Sequence, residues 1–195
     1  IDAFSAQLQL HDRIMLINTD EYDLIQEIAI VRSLLERRID GIALIGFDHH
    51  EVPLNMLAQR DVPVVSIWNY RQDAKIPCIG ADNFEAGAMI ARHVLELGHR
   101  DIAYLFPEAT NNDRARDRLQ GALAIAAEFD INPVSERVIE CPYDIAAAKE
   151  LALNLLSQNP PSAIICGNDV ISHGAIFACQ SINLSVPNEL SVAGI

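Results

Sequence analysis

Apolar residues along this chain follow two rhythms. Mostly apolar runs of strand length occupy residues 13–18, 42–45, 62–67, 102–106, 138–141, 162–166 and 190–195, with a shorter extended piece at 78–81. Between them, apolar residues recur every three or four positions, the period of a helix with one buried face. Ile1, Phe4 and Leu8 share such a face, as do Leu24, Ile28, Val31 and Leu35. So do Ala86, Ile90, Val94 and Leu97, then Leu119, Ala122, Ala126 and Phe129, and finally Ile171, Ala175, Ala178 and Ile182. Residues 52–59 read as a short helix and 144–156 as a longer one, while 68–77 is irregular.

Punctuation supports these boundaries. Asp40-Gly41, Gly98, Pro160-Pro161 and Pro187 break the pattern, and capping chemistry appears at Asn18-Thr19-Asp20, Asp82 with Glu85, Asp113, Asp144 and Asp169. Strands that alternate with helices throughout imply an α/β fold with parallel sheets flanked by helices. Polar residues just after a strand, such as Asn168, then stand at the carboxyl edge of a sheet, where open α/β sheets bind ligands.

Charge narrows the function. The chain has 195 residues, 50% of them apolar, and a net charge of −13 spread along its length. Such a surface repels a phosphate backbone and is poorly suited to touch DNA. The four cysteines are scattered among apolar runs with no CxxC, the pattern of buried free thiols in a reducing cytosol. No run approaches the ~20 apolar residues of a membrane span. His49-His50-Glu51 lacks a third ligand at helical spacing, so no metal is expected. His99, opening a strand after a glycine stop, reads as structural. No GxSxG elbow, P-loop or GxGxxG is present, and neither Glu85 nor Asp20 has a catalytic partner, so neither an enzyme nor a cofactor is expected.

Several blocks, in order, resemble the effector-binding domain of LacI-type transcription regulators. They are Arg37-Arg38-Ile39-Asp40-Gly41-Ile42, Val62-Pro63-Val64-Val65, Asp82-Asn83 with Ala86-Gly87, and Leu97-Gly98-His99-Arg100-Asp101-Ile102-Ala103. Arg118-Leu119-Gln120-Gly121, Gly167-Asn168-Asp169 with Gly174-Ala175, and Val186-Pro187 with Leu190-Ser191-Val192 complete the series. The resemblance implies a two-lobed periplasmic-binding-protein-like fold, with lobes expected at residues 1–98 and 99–195. It also implies that the family's helix-turn-helix headpiece, first strand and final strands lie outside this sequence, which is then an internal fragment with exposed strand edges.

The family binds a saccharide or nucleobase between its lobes, so the expected partners are a small saccharide or nucleoside-like effector, operator DNA through the missing headpiece, and a second copy of the chain. The resemblance places the dimer surface on the helices at 1–10 and 170–182. The alternative is a periplasmic sugar-binding protein of a transporter. Arg118 resembles the family's effector-anchoring arginine, whose planar fork of donors suits hydroxyls. Asn168 offers both donor and acceptor to a hydroxyl, although a turn or cap role competes; for Asp169 the cap is the expected role. Tyr143 stands where the family carries a stacking aromatic. Phe47 and Trp68 also follow strands on the ligand-facing edge, with core packing as the competing role. Around Trp68 the family commonly has Asp-Arg; its absence here favours a flatter or less polar ligand.

The acidic surface generates a direct expectation. This chain alone should give no salt-dependent retardation of duplex DNA in a gel-shift assay; retardation that weakens as salt is added would contradict it.

Overall fold

The structure, a computed structural model, describes residues 1–195. The chain divides into two compact units, residues 1–41 with 49–63, and residues 42–48 with 64–195. The first contains helices α1 (Asp2–Gln9), α2 (Leu24–Glu36) and α3 (Glu51–Ala58). Helix α2 starts at Asp23, whose carboxylate accepts the Ile25 and Gln26 amides, and buries Val31 and Leu35. It packs against α3, which buries Leu57. Glu27 is also buried, with one carboxylate oxygen 2.6 Å from His49 Nδ1 and the other accepting the His50 amide at 3.0 Å. His49 and His50, two of the three residues weighed as a metal motif, are thus engaged in holding α2 to the start of α3, where the His50 ring accepts the Val52 amide.

The second unit carries two parallel sheets. Strands β1 (Ile42–Ile45), β2 (Val64–Ile67) and β3 (Cys78–Ile79) form the first, in that order. The second is ordered β5 (Val138–Glu140), β4 (Ile102–Phe106), β6 (Ala163–Cys166), β7 (Ser191–Gly194). Every pairing is parallel; helix α4 (Asn83–Glu96) leads from β3 to β4, and α5 (Asp113–Glu128), α6 (Ile145–Gln158) and α7 (Asp169–Ser181) connect the strands of the second sheet. This is the α/β architecture expected from the alternating rhythms.

Strand β4 is buried on both faces, as a central parallel strand must be. Ala103 and Leu105 face one apolar cluster with α6 and α7; Ile102, Tyr104 and Phe106 face another with α4 and α5. Full burial of each large side chain contributes about 1.5–3 kcal/mol. Helix α4, placed by sequence at the end of the first lobe, packs on the second sheet through Ala88, Ala91, Val94 and Leu95.

Some local expectations need correction. Residues 13–18 join neither sheet, and Ile14, Leu16 and Ile17 stay exposed; an apolar run without a ladder partner does not become a strand. Asp23, not the 18–20 segment, caps α2, while Asp20 instead accepts the Tyr22 amide. Asn112 and Asn168, not Asp113 and Asp169, cap α5 and α7. The caps at Asp82 and Asp144 are present, on the Glu85 and Ala147 amides.

Burial sets a pH limit. Desolvation pushes the Cys166 thiol up from 9.0 to about 12, and desolvation followed by the nearby Asp144 carboxylate pushes Cys141 up to about 11. The Tyr104 hydroxyl rises by desolvation from 10.0 to about 12. The folded state therefore holds these protons more tightly than the unfolded chain. That stability is complete below pH 9 and is lost as pH rises through the folded-state values. Thermal melts between about pH 7 and about pH 11 should show a midpoint falling above pH ~9, less steeply in Cys166→Ala. An identical slope in the variant would remove Cys166 from the account.

Candidate functional site

Helices α4 and α5 meet backbone to backbone. A Cβ on Gly87 would stand 1.9 Å from the Arg118 carbonyl oxygen, and one on Gly121 2.0 Å from the Phe84 carbonyl oxygen. Only glycine permits this approach. It lays the first turn of α4 beside the second turn of α5, and so places Asn83 next to Arg118. Arg118 Nε donates to Asn83 Oδ1 at 2.7 Å, and its Nη1 donates to the Gly167 carbonyl at 2.8 Å.

Asn83 is the buried hub. Its Nδ2 donates to the Trp68 carbonyl at 3.0 Å, to Asn69 Oδ1 at 2.9 Å and to the Ala81 carbonyl at 3.2 Å. Asn69, equally buried, donates onward to Asp113 at 2.8 Å and Asp117 at 2.9 Å. Asp113 is fully buried at the first position of α5, where the helix dipole favours a carboxylate. Besides Asn69 it accepts the Phe47 amide at 2.9 Å and Arg114 Nη1 at 2.8 Å. Gly46 makes room for that pair, since a Cβ there would lie 2.2 Å from both Arg114 Nη1 and Asp113 Oδ1. Buried amides and carboxylates without partners are costly; here each is matched, and the set fixes geometry.

Outer charges complete the cluster. Arg116 makes a fork to both oxygens of Asp48 at 2.7 and 2.8 Å, which raises its own pKa through that hydrogen bond. Arg71 pairs with Asp117 at 3.1 Å, with its guanidinium carbon 5.0 Å from the Phe47 ring centroid. Four guanidiniums (71, 114, 116, 118) face three carboxylates (48, 113, 117), one net positive charge inside a chain of −13.

Of the expected site residues, Arg118, Phe47 and Trp68 bond to this network, whereas Tyr143 and Asn168 make their hydrogen bonds beside it. Phe47 is half-buried, its amide on Asp113. Trp68 is 56% exposed, with φ +71, a left-handed conformation that costs about 1–3 kcal/mol in a bulky residue. It is held there by its amide on the Ile79 carbonyl and its own carbonyl on Asn83, above a Gly80 whose Cβ would lie 2.4 Å from the Asn69 amide nitrogen. Tyr143 is 45% exposed, its hydroxyl accepting from Asn112 Nδ2 at 3.2 Å. Asn168 Oδ1 caps α7 by accepting the Ile171 amide at 2.9 Å, while its buried Nδ2 has no partner.

Asn69, Asn83, Asp113 and Asp117 escape sequence reasoning as site residues. Asp113 looks like a cap, and the polar row from Asn112 to Arg118 looks like a solvated helix face. The available signal was the Asp82-Asn83 pair, whose second residue has no local capping role to explain it. No carboxylate in the cluster stands as a lone acid or base; each pairs with a guanidinium. Donors and exposed aromatic faces at the carboxyl ends of two sheets suit capture of a polar ring.

Residues 4–194 match the family described as periplasmic binding proteins and sugar binding domain of LacI family. The "HTH-type transcriptional repressor PurR" of Edwardsiella ictaluri is 28% identical over 187 residues, 94% of this chain and 54% of the relative. The "HTH-type transcriptional regulator DegA" of Bacillus subtilis is 28% identical, covering 92% of this chain and 54% of the relative. The chain thus spans about half the length of the curated relatives it matches. Among solved structures, the transcription regulator GntR of Chromobacterium violaceum superposes with a TM-score of 0.91 at 28% identity, over 99% of this chain and 71% of that one. These relatives are transcription regulators, not enzymes.

The crossing makes a sharp prediction. Gly121→Ala must push α4 from α5 and should cost about 1–3 kcal/mol in urea unfolding, whereas Gln120→Ala, on the exposed side, should cost close to nothing. Equal stability of the two variants would contradict the close packing.

Proposed function

The chain belongs to the family of periplasmic binding proteins and sugar-binding domains of LacI-type regulators, as an effector-binding domain, and we propose that it senses a small saccharide or nucleoside-like molecule for a cytosolic DNA-binding repressor. The effector lies between the part of the chain built on the first sheet and the part built on the second, the lobes expected from sequence as residues 1–98 and 99–195. Trp68 and Phe47 contribute from the first sheet, and Arg118, Tyr143 and Asn168 from the second. Arg118 and Asn168 supply directed donors, and the aromatic rings supply flat apolar faces. The observation that carries this reading is the Asn168 amide. Its Nδ2 is buried without a partner, one residue from the carbonyl that holds Arg118, and a ligand oxygen reaching it would match a donor that otherwise stays unpaired.

An effector that binds one arrangement of the lobes better shifts the population toward it. In a homodimer, that shift reaches the headpieces that hold operator DNA. Helix α7, with Val170 and Phe177 exposed and Ile182 exposed just after it, and helix α1, with Phe4 exposed and Ile1 exposed just before it, are the proposed dimer surfaces.

A thermal-shift panel of ribose, glucose, adenosine and hypoxanthine on the full-length protein identifies the class of effector, since a ligand of the native state raises Tm. For a compound that does so, Arg118→Lys should lose nearly as much affinity as Arg118→Ala, about 2–5 kcal/mol by calorimetry, because lysine keeps the charge but not the fork. Operator affinity without effector should stay unchanged. Wild-type affinity in Arg118→Lys would remove Arg118 from the site.

A further inference from the structure

The start of α5 makes a second set of contacts, separate from the donors and rings offered to an effector. The Arg116 fork holds Asp48 in the loop after β1, and Asp117 holds Arg71 in the loop after β2. Arg114 Nη1 donates to the Ile45 carbonyl at 3.1 Å, at the very end of β1. Asp113 takes the Phe47 amide and the Asn69 side chain, one from each loop. All run from the carboxyl ends of the first sheet to two turns of a helix whose own strand, β4, lies in the second sheet.

These contacts fall into two tiers. Asp113 is wholly enclosed and fully matched, so it acts as a fixed pivot. The outer pairs are open to water, with side chains 33% and 24% exposed for Arg116 and Asp48, and 39% and 16% for Arg71 and Asp117. Exposed ion pairs are screened by salt and individually weak, so they can break and reform without unfolding the core. An apolar contact in their place would lack that sensitivity to charge and salt.

We propose that Asp48–Arg116 and Arg71–Asp117 form an electrostatic clasp around the Asp113 pivot, whose opening and closing frees and fixes the loops that carry the Phe47 and Trp68 rings, while the Phe47 amide stays on Asp113 and the Trp68 carbonyl on Asn83. The clasp rests on the effector-site reading for its purpose, but not for its existence. It sets the population of the arrangement that presents both halves of the site before any ligand arrives. Both loops share the pivot, so releasing one pair loosens the other loop as well.

Hydrogen–deuterium exchange on the full chain tests this without a ligand. Asp48→Asn and Arg116→Gln should each speed exchange across residues 45–48 by roughly two- to fivefold, the order expected when a partly exposed ion pair no longer holds a local segment. Exchange across 68–71 should rise with it, although neither substitution touches that loop. The swapped pair Asp48→Arg with Arg116→Asp should return both segments toward wild-type rates, and high salt should loosen wild type while changing the single variants little. Wild-type rates in the single variants would overturn the clasp. So would a swapped pair as mobile as the singles, or loosening of β4 and β6 in parallel, which marks general destabilisation. If exchange follows expectation but no sugar or nucleoside in the panel raises Tm, the clasp stands and the effector reading fails.

Discussion

Everything at the candidate site depends on two helices crossing at a distance that only glycine allows. Gly87 and Gly121 bring the backbones of α4 and α5 into contact. From that crossing, Asn83 reaches Arg118 on one side and the Trp68 carbonyl on the other. One buried amide therefore sets an arginine on the second sheet's helix against an aromatic residue leaving the first sheet. A wider crossing would leave Asn83 Oδ1 buried and unmatched, and would leave Arg118 without the acceptor that orients its fork.

The charge distribution follows the same logic. A chain of −13 concentrates four arginines around three aspartates where the strands of both sheets end. The buried member, Asp113–Arg114, is less a source of stability than a contact that specifies one geometry among several of similar energy. That suits the proposed role of a domain that chooses between arrangements. The apolar clusters on either face of β4 hold the second sheet together. The polar cluster, by contrast, decides how the first sheet's loops meet α5.

Much of the fold is legible in the sequence because period and burial coincide: the helical stripe of Ala122 and Ala126 and the unbroken run 102–106 admit few alternatives. The run at 13–18 is the failure, since apolar residues become a strand only when a neighbour pairs with them, and no local feature records the neighbour. The caps mislead for a different reason. Asn112-Asp113 and Asn168-Asp169 are adjacent good capping residues, and local chemistry does not rank them. Tertiary contacts do: the Phe47 amide, Asn69 and Arg114 claim the Asp113 carboxylate, leaving the cap to Asn112. Arg118 and Asn168 stood out through resemblance to a family pattern, whereas Asn69 and Asp117 did not, because a polar residue in sequence gives no sign of burial.

The central claim is that the two sheets contribute to one ligand site through the Asn83–Arg118 junction. A crystal structure of the full-length protein with a compound that raises its Tm tests it most directly. The account predicts the ligand bound to the Arg118 guanidinium and to Asn168 Nδ2, with its ring against Trp68 or Tyr143. A ligand seated instead in the groove of about 420 Å³ lined by Val134, Leu151 and Leu155, between α6 and residues 134–139, with Asn168 Nδ2 still unpartnered, would contradict it.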